Sequence, residues 1–291
     1  MKTYLSTGAF RTRKLEEIIQ ICSGLGIKDL ELSSGVKHEP NLHPLIDTMM
    51  EAKFRLLIHN YFPAPAKPFA LNLASDDPET LDRSRAHCLQ GIDLSLEVGA
   101  TFYSVHSGFA IRISPELLGK PEAQAQLSRD AYISREEAYK TFLEAVSDLA
   151  DYAESRGIRF LLENNVVAPS YMAKHKENPL LMTSPQEIVQ ILNDLSHPQV
   201  GLLVDVGHAK VSGCALGFSM EEFIESVAPY VEAFHLSDND GQRDQNRPFD
   251  ETAWFCPVLK DFSNLPCVIE VYSLSPDEIE KQVEILETVL S

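Results

Sequence analysis

The chain has 291 residues, 44% of them hydrophobic, which is enough to build a sizeable core without disulfide support. Its 43 acidic residues exceed its 25 basic ones and give a net charge of −18, and the absence of any Lys/Arg-rich run weighs against a nucleic-acid partner. The five cysteines are scattered, no apolar run reaches the length of a membrane span, and the first residues lack the apolar segment of a secretion signal. We therefore expect a cytoplasmic globular protein with no membrane partner, and we leave open whether it forms a homo-oligomer.

Eight short apolar runs recur along the chain. They read, in order, "TYLSTGA", "KDLELS", "FRLLIHN", "TFYSVHS", "IRFLLEN", "VGLLVDV", "VEAFHLS" and "CVIEVYS". Most are apolar almost throughout, which is typical of parallel strands that are covered on both faces. Helical patterns lie between them, several of which begin with Ser and carry an acid in the first turn, as in "SREEAYKTFLEAVSDLADYAESRG".

Eight strands that alternate with helices predict an α/β fold, a (β/α)₈ TIM barrel that forms a single domain over residues 1–291. A doubly wound open sheet is the alternative, but no GxGxxG follows the first strand. The predicted loops are also asymmetric. Helix-to-strand connections are short, whereas four strand-to-helix segments are long, at residues 60–75, 107–133, 164–183 and 237–260. All four would emerge at the C-terminal mouth, where barrel enzymes build their sites.

Six consecutive predicted strands deliver a polar side chain to that mouth. These side chains are, in chain order, His59, His106, Glu163, Asp205 with His208 just beyond it, His235 and Glu270. A single His or Glu at a strand end is most often a hydrogen-bonded structural residue, but the repetition at six strands is not explained that way. Imidazole nitrogens and carboxylate oxygens suit a divalent metal ion. The sequence therefore predicts a metal site made of Glu163, Asp205, His235 and Glu270.

The segments that carry these residues also resemble a known family. "LLIHNYF", "YSVHSG", "FLLENN", "LLVDVGHAKVSG", "FHLSDNDGQRD" and "VIEVY" are similar to the xylose-isomerase-like TIM barrel superfamily. That superfamily includes sugar isomerases and epimerases, inosose and dehydroshikimate dehydratases, and zinc-dependent apurinic-site endonucleases (apurinic endonuclease family 2). The resemblance runs from the first strand to the last.

The epimerase-like branch implies one divalent ion (Mn, Co, Mg or Zn) that is held by the four predicted ligands. Glu163 and Glu270 would also transfer protons on opposite sides of a sugar or polyol carbon, through an enediolate that the metal stabilises. His208 would contact the substrate, as would His59 and His106. Arg243, in the loop after the seventh strand, is a weaker candidate for binding a hydroxyl or phosphate group of the substrate. The resemblance thus implies a metal-dependent sugar isomerase or epimerase, or, on the same site, a dehydratase of the inosose or dehydroshikimate type.

The nuclease-like branch implies more metal ions. His59, His106 and His208 would join as ligands, so a second ion could be bound through His59 and His106. A third ion would need an Asp and a His two residues apart, but this chain has Asp244 and Asn246 there. That difference and the acidic net charge disfavour a zinc-dependent endonuclease on abasic DNA. A non-catalytic sugar-binding barrel is a third alternative, disfavoured because both glutamates are retained.

Overall fold

The computed structural model describes residues 2–118, 120, 126–175 and 177–290. Within these ranges, eight parallel strands form one closed barrel, in which each strand pairs with the next along the chain and the last pairs with the first. They are β1 Lys2–Ser6, β2 Asp29–Leu32, β3 Arg55–His59, β4 Phe102–His106, β5 Arg159–Glu163, β6 Val200–Asp205, β7 Val231–Leu236 and β8 Pro266–Ile269. The predicted (β/α)₈ barrel is confirmed.

Helices surround the barrel, and ten α-helices lie within the described ranges. They are α1 Leu15–Leu25, α2 Leu42–Glu51, α3 Pro78–Glu97, α4 Arg135–Arg156, α5 Pro169–Met172, α6 Pro185–Leu195, α7 Val206–Leu216, α8 Met220–Val227, α9 Cys256–Leu259 and α10 Pro276–Leu290. None of these helices combines the length and the apolar composition needed to cross a membrane. The sequence patterns did not single out α2 and α7, nor the two four-residue helices α5 and α9.

Local chemistry explains where the helices begin and end. Four helices begin at an N-cap residue whose side chain accepts a hydrogen bond from the backbone N–H three residues later. These caps are Asp77 for α3, Ser134 for α4, Ser184 for α6 and Ser219 for α8. Helix α4 ends at Gly157, whose φ of 69° is in the left-handed region that glycine tolerates. Two residues later β5 begins, so the connection at this end of the barrel is as short as predicted.

The strands lie between the barrel interior and the helix layer, and their side chains are buried on both faces. In β6, every side chain from Leu202 to Asp205 has no exposed surface. The long segments follow β3, β4, β5 and β7 and gather at the C-terminal mouth, as predicted. Part of the segment after β4, residues 119 and 121–125, lies outside the described residues.

Candidate metal centre at the mouth of the barrel

The four predicted ligands meet at the C-terminal end of the barrel. Glu163 ends β5, Asp205 ends β6, His235 lies in β7 and Glu270 directly follows β8. Each offers one ligand atom, and these four atoms lie within 4.8 Å of one another. Strand register explains part of this proximity, because Asp205 and His235 are direct partners in the β6–β7 ladder.

The atoms that face the centre of this cluster have no hydrogen-bond partner among the described residues. They are both carboxylate oxygens of Glu163, Oδ2 of Asp205 and Nδ1 of His235. Burying such atoms without a partner costs several kcal/mol, on the order of 1–3 each. His235 Nδ1 lies 3.0 Å from Oε2 of Glu270 and 3.4 Å from Oε1 of Glu163. One divalent cation at this point would satisfy all of these atoms at once, so the residues fit a metal ion.

Glu31 is a member of this cluster that the sequence analysis missed. It lies in β2 with no exposed surface, and its Oε2 is 2.9 Å from Nε2 of His235. A hydrogen on Nε2 donated to Glu31 leaves Nδ1 of His235 as the nitrogen that faces the other ligands. The signal was present in "KDLELS", where Glu31 lies between two leucines, but the repeated pattern of polar strand ends begins only with the third strand.

The charges in the cluster act on each other strongly. Burial opposes the ionisation of Glu163, but the imidazoles of His106 and His235 outweigh burial and hold the pKa of Glu163 well below its ordinary value. Burial also opposes the ionisation of Glu270, and His235 again outweighs it and lowers the pKa of Glu270 to about 2. Both predicted proton-transfer carboxylates are therefore ionised at neutral pH.

The other ligands show the opposite effect. Burial and the charge of Glu270 raise the pKa of Asp205 well above its ordinary value, against the opposing charge of His208. Burial disfavours a charged His235, yet Glu31 and Glu270 outweigh it and raise its pKa. The excess of carboxylates thus favours positive charge in the cluster, and this favours the binding of a cation. A bound cation would release the protons that Asp205 and His235 hold because of their raised pKa values.

His59 and His106 flank the same centre through Glu163. His59 Nε2 lies 3.3 Å and His106 Nε2 lies 3.5 Å from Oε2 of Glu163, and the three residues form a second group that could hold a metal ion. His59 Nδ1 lies 2.9 Å from the hydroxyl of Ser104, which fixes the orientation of its ring. His106 is the most exposed of the three, with 36% of its side chain accessible. The structure thus places both histidines where they could contact either a substrate or a second ion.

His208 is held by the start of α7. Asp205 is the N-cap of this helix, and its Oδ1 accepts a hydrogen bond from the backbone N–H of His208 at 2.7 Å. The ring Nδ1 of His208 donates to the carbonyl of Asn164 at 2.8 Å, while Nε2 lies 3.2 Å from Oδ2 of Asp244.

Helix α7 was not predicted because nearly all of its first eight residues are buried, so it has no polar stripe.

A cavity of about 760 Å³ lies beside the cluster, and Glu270 is the predicted ligand that lines it. His106, His208, Arg243, Asp244 and Glu270 line its polar side. The opposite wall is largely apolar and includes Tyr61, Phe69, Leu71, Phe109, Val166 and Leu180. This volume is within the range of small-molecule sites. The structure therefore brings every predicted site residue to one place, with Arg243 at the exposed rim.

The position of Asn246 bears on a third ion. Asn246 is buried, its φ is 43°, and its carbonyl accepts a hydrogen bond from the backbone N–H of Tyr272. A side-chain amide is a poor ligand for zinc compared with an imidazole. Asp244 and His208 therefore lack the second imidazole that a complete third site would need.

Comparison with known proteins places the chain in a family. A probable endonuclease 4 of Thermoplasma acidophilum is 28% identical over 187 residues, which cover 62% of this chain and 53% of that protein. The match thus spans about half the length of this relative. Among solved structures, a D-tagatose 3-epimerase-like protein has a TM-score of 0.68 at 19% identity, with 100% of both chains covered. A protein of Thermus thermophilus, solved after soaking with ZnCl₂, has a TM-score of 0.63 at 21% identity, with 99% of this chain and 98% of that chain covered.

At these identities, the two solved structures support the fold alone. The model of the family described as the xylose isomerase-like TIM barrel matches residues 19–289, nearly the whole of the barrel and all of the candidate site residues. The resemblance inferred from the strand ends is confirmed. The chain belongs to the xylose isomerase-like TIM barrel family.

Proposed function

We propose that this protein is a divalent-metal-dependent isomerase or epimerase of a sugar or polyol. The observation that carries the proposal is the buried set of Glu163, Asp205, His235 and Glu270, whose ligand atoms lie within 4.8 Å of one another. In three of these residues, buried polar atoms have no hydrogen-bond partner among the described residues. The fold shared with a D-tagatose 3-epimerase-like protein is consistent with this chemistry. The scattered cysteines, all five of them free, agree with the predicted cytoplasmic location.

When bound, the ion (Mn, Co, Mg or Zn) would polarise a substrate carbonyl and stabilise the negative charge of the enediolate. The chain itself would move the protons. Glu163 and Glu270 come from β5 and β8, which are not neighbours in the barrel, so their carboxylates reach a substrate carbon from different sides. Both carboxylates are ionised at neutral pH, so either has an unprotonated oxygen that can accept a proton from carbon. Return of the proton on the other face would give an epimer, and return on the next atom would give an isomer.

The polar side of the cavity would orient the substrate. His208 is held by both Asn164 and Asp244, so its ring has a fixed direction toward the cavity. His59 and His106 border Glu163 and would bind the hydroxyl groups next to the reacting carbon. Arg243 at the rim would bind a hydroxyl or phosphate group at the distal end of the substrate. If a β-hydroxyl left from the same intermediate, the reaction would be a dehydration.

An apurinic-site endonuclease is the second candidate, and two observations favour it. The group of His59, His106 and Glu163 could hold a second ion, as expected of the nuclease-like branch, and a probable endonuclease 4 is among the relatives. Asn246 at the third site and the net charge of −18 weigh against it. A non-catalytic sugar-binding barrel would have no need of two ionised glutamates within the ligand set.

Metal analysis together with carbon–hydrogen exchange tests the proposal. Purified protein, reconstituted with Mn²⁺, should hold about one ion per chain and should incorporate deuterium from D₂O into ketoses or inososes. His235→Ala should lose both properties, whereas His43→Ala, which changes an exposed histidine of α2, should keep both. Two or three zinc ions per chain and cleavage of abasic DNA would support the nuclease instead. A folded protein that binds no ion after reconstitution would contradict the metal site.

A further inference from the structure

The segment after β8 brings another side chain to the cluster, that of Tyr272. Its hydroxyl lies 3.2 Å from Oε1 of Glu270, and it lines the cavity with 45% of its surface exposed. The phenol is the donor in this contact, because an ionised carboxylate can only accept. None of the predicted roles included this residue.

The contact gives the two oxygens of Glu270 different surroundings. Oε2 lies 3.0 Å from Nδ1 of His235 and so faces the other metal-ligand atoms. Oε1 is turned toward the hydroxyl of Tyr272 on the cavity side. A carboxylate without such a donor can rotate and present either or both oxygens to a cation. The hydrogen bond therefore selects which oxygen faces the ligand cluster and which faces the substrate space.

The position of Tyr272 is fixed from two directions. Its backbone N–H donates to the carbonyl of Asn246 at 3.0 Å, and the next two N–H groups donate to the carbonyls of Gly8 and Ala9 after β1. Gly8 also lies against the ring, because a Cβ added there would come within 2.6 Å of Cε1 of Tyr272. Any side chain at position 8 would push the ring away from its present place. The sequence thus supports this one placement of the tyrosine.

We propose that Tyr272 is a positioning residue that orients the carboxylate of Glu270, so that Oε2 serves the metal ion and Oε1 is left to exchange protons with the substrate. This inference rests on the proposed function for the role of Oε1, but its effect on Glu270 as a ligand is independent of the reaction.

The first test compares Tyr272→Phe with Tyr139→Phe. Tyr139 also donates its hydroxyl to a carboxylate, that of Asp194, but on the outer helix layer away from the cavity. Two quantities are measured: the affinity for Mn²⁺ by titration, and kcat and KM for deuterium exchange into D-fructose and D-tagatose at saturating Mn²⁺. Tyr272→Phe should weaken Mn²⁺ binding or lower kcat by about tenfold with little change in KM, because it removes a partner of a ligating carboxylate. Tyr139→Phe should leave both quantities unchanged.

The second test approaches the same contact from Gly8. Gly8→Ala should displace the ring and produce a loss in the same direction as Tyr272→Phe, although it alters no polar group. In the Tyr272→Phe background, the same change should add little, because the hydroxyl contact is already gone. Fully additive losses would show that Gly8 acts on something other than the tyrosine and would overturn this step.

The outcomes separate this inference from the proposed function. If wild-type protein binds Mn²⁺ but exchanges deuterium into neither ketose, the proposed reaction fails for these substrates, and the Mn²⁺ titration decides alone. A tenfold weaker titration for Tyr272→Phe then supports the positioning role. If Tyr272→Phe binds Mn²⁺ with wild-type affinity, and has wild-type kcat where exchange is measurable, the positioning role is overturned.

Discussion

The two ends of the barrel use the same charged residue types in different ways. Where the strands begin, charges pair one to one near the surface, as between Arg55 and Asp29 and between Arg159 and Glu232. Where they end, carboxylates and imidazoles converge and all but His106 are buried, and several of their atoms have no hydrogen-bond partner among the described residues. The ion pairs at the strand starts are complete without a ligand. The buried acids at the strand ends lower the stability of the fold unless a cation or a substrate binds to them. This contrast supports the proposal that the mouth is the functional end.

Glu163→Gln should give the largest effect at the mouth. The substitution keeps the size of the side chain but removes a charge from the metal-ligand set and from the proposed proton transfer. We expect deuterium exchange into ketoses to fall by about 10³-fold, within the range that a lost acid–base group accounts for. Glu232→Gln, the same change at the strand-start end, should leave exchange unchanged. Equal exchange rates for the two variants would remove the functional distinction between the ends.

Glu31 permits a finer test, because alanine and glutamine substitutions separate its hydrogen bond from its charge. Glu31→Ala should weaken Mn²⁺ binding by about 10–100-fold, since His235 loses the partner that turns its Nδ1 toward the other ligands. Glu31→Gln should retain most of the affinity, because its carbonyl oxygen can still accept from Nε2 of His235. Calorimetric titration of both variants with Mn²⁺ measures this. Equal losses would show that the charge of Glu31 matters more than the orientation of His235.

The sequence predicted the barrel and the mouth well because both rest on repeated patterns. Apolar runs at regular intervals require strands, and residues at the ends of parallel strands are necessarily carried to one end. Glu31 was missed because the pattern of polar strand ends begins only with the third strand, and its contact with His235, 204 positions later in the chain, leaves no local pattern. Tyr272 was missed for a related reason. Its place depends on Gly8, which is 264 positions earlier in the chain, and such a contact leaves no local pattern.

His87 lies just outside the cluster and tests how far the mouth tolerates charge. Its Nε2 donates to the carbonyl of Asn60, and burial lowers its pKa to about 4 from an ordinary value of 6.5. The unfolded chain therefore binds a proton between pH 6.5 and 4 that the folded protein does not bind. The stability associated with neutral His87 is complete above pH 6.5 and is lost as the pH falls toward 4, by up to about 3 kcal/mol.

The measurement is urea unfolding of wild type and His87→Phe from pH 7 to pH 4, with Mn²⁺ saturating so that the cluster stays in one state. The variant should be less stable at pH 7, because the carbonyl of Asn60 loses one of its two donors and keeps only the hydroxyl of Tyr103. Its free energy of unfolding should then fall less steeply with decreasing pH than that of wild type. Parallel curves would mean that His87 takes up its proton in the folded protein as readily as in the unfolded chain.

The ion pair between Arg159 and Glu232 should give the smallest effect. Arg159 Nε donates to Oε2 of Glu232 at 2.8 Å, and about a third of each side chain is exposed. Water and salt screen such a pair, so a double-mutant cycle with Arg159→Met and Glu232→Gln should give a coupling free energy of about 0.2–1 kcal/mol, decreasing with added salt. Mn²⁺ affinity should not change in any of these variants, because the pair lies at the opposite end of β5 from Glu163. Two results would contradict this expectation: a coupling free energy as large as that of a buried pair, or a change in Mn²⁺ affinity. Either would show that the strand starts also support the site and that the two ends of the barrel are not independent.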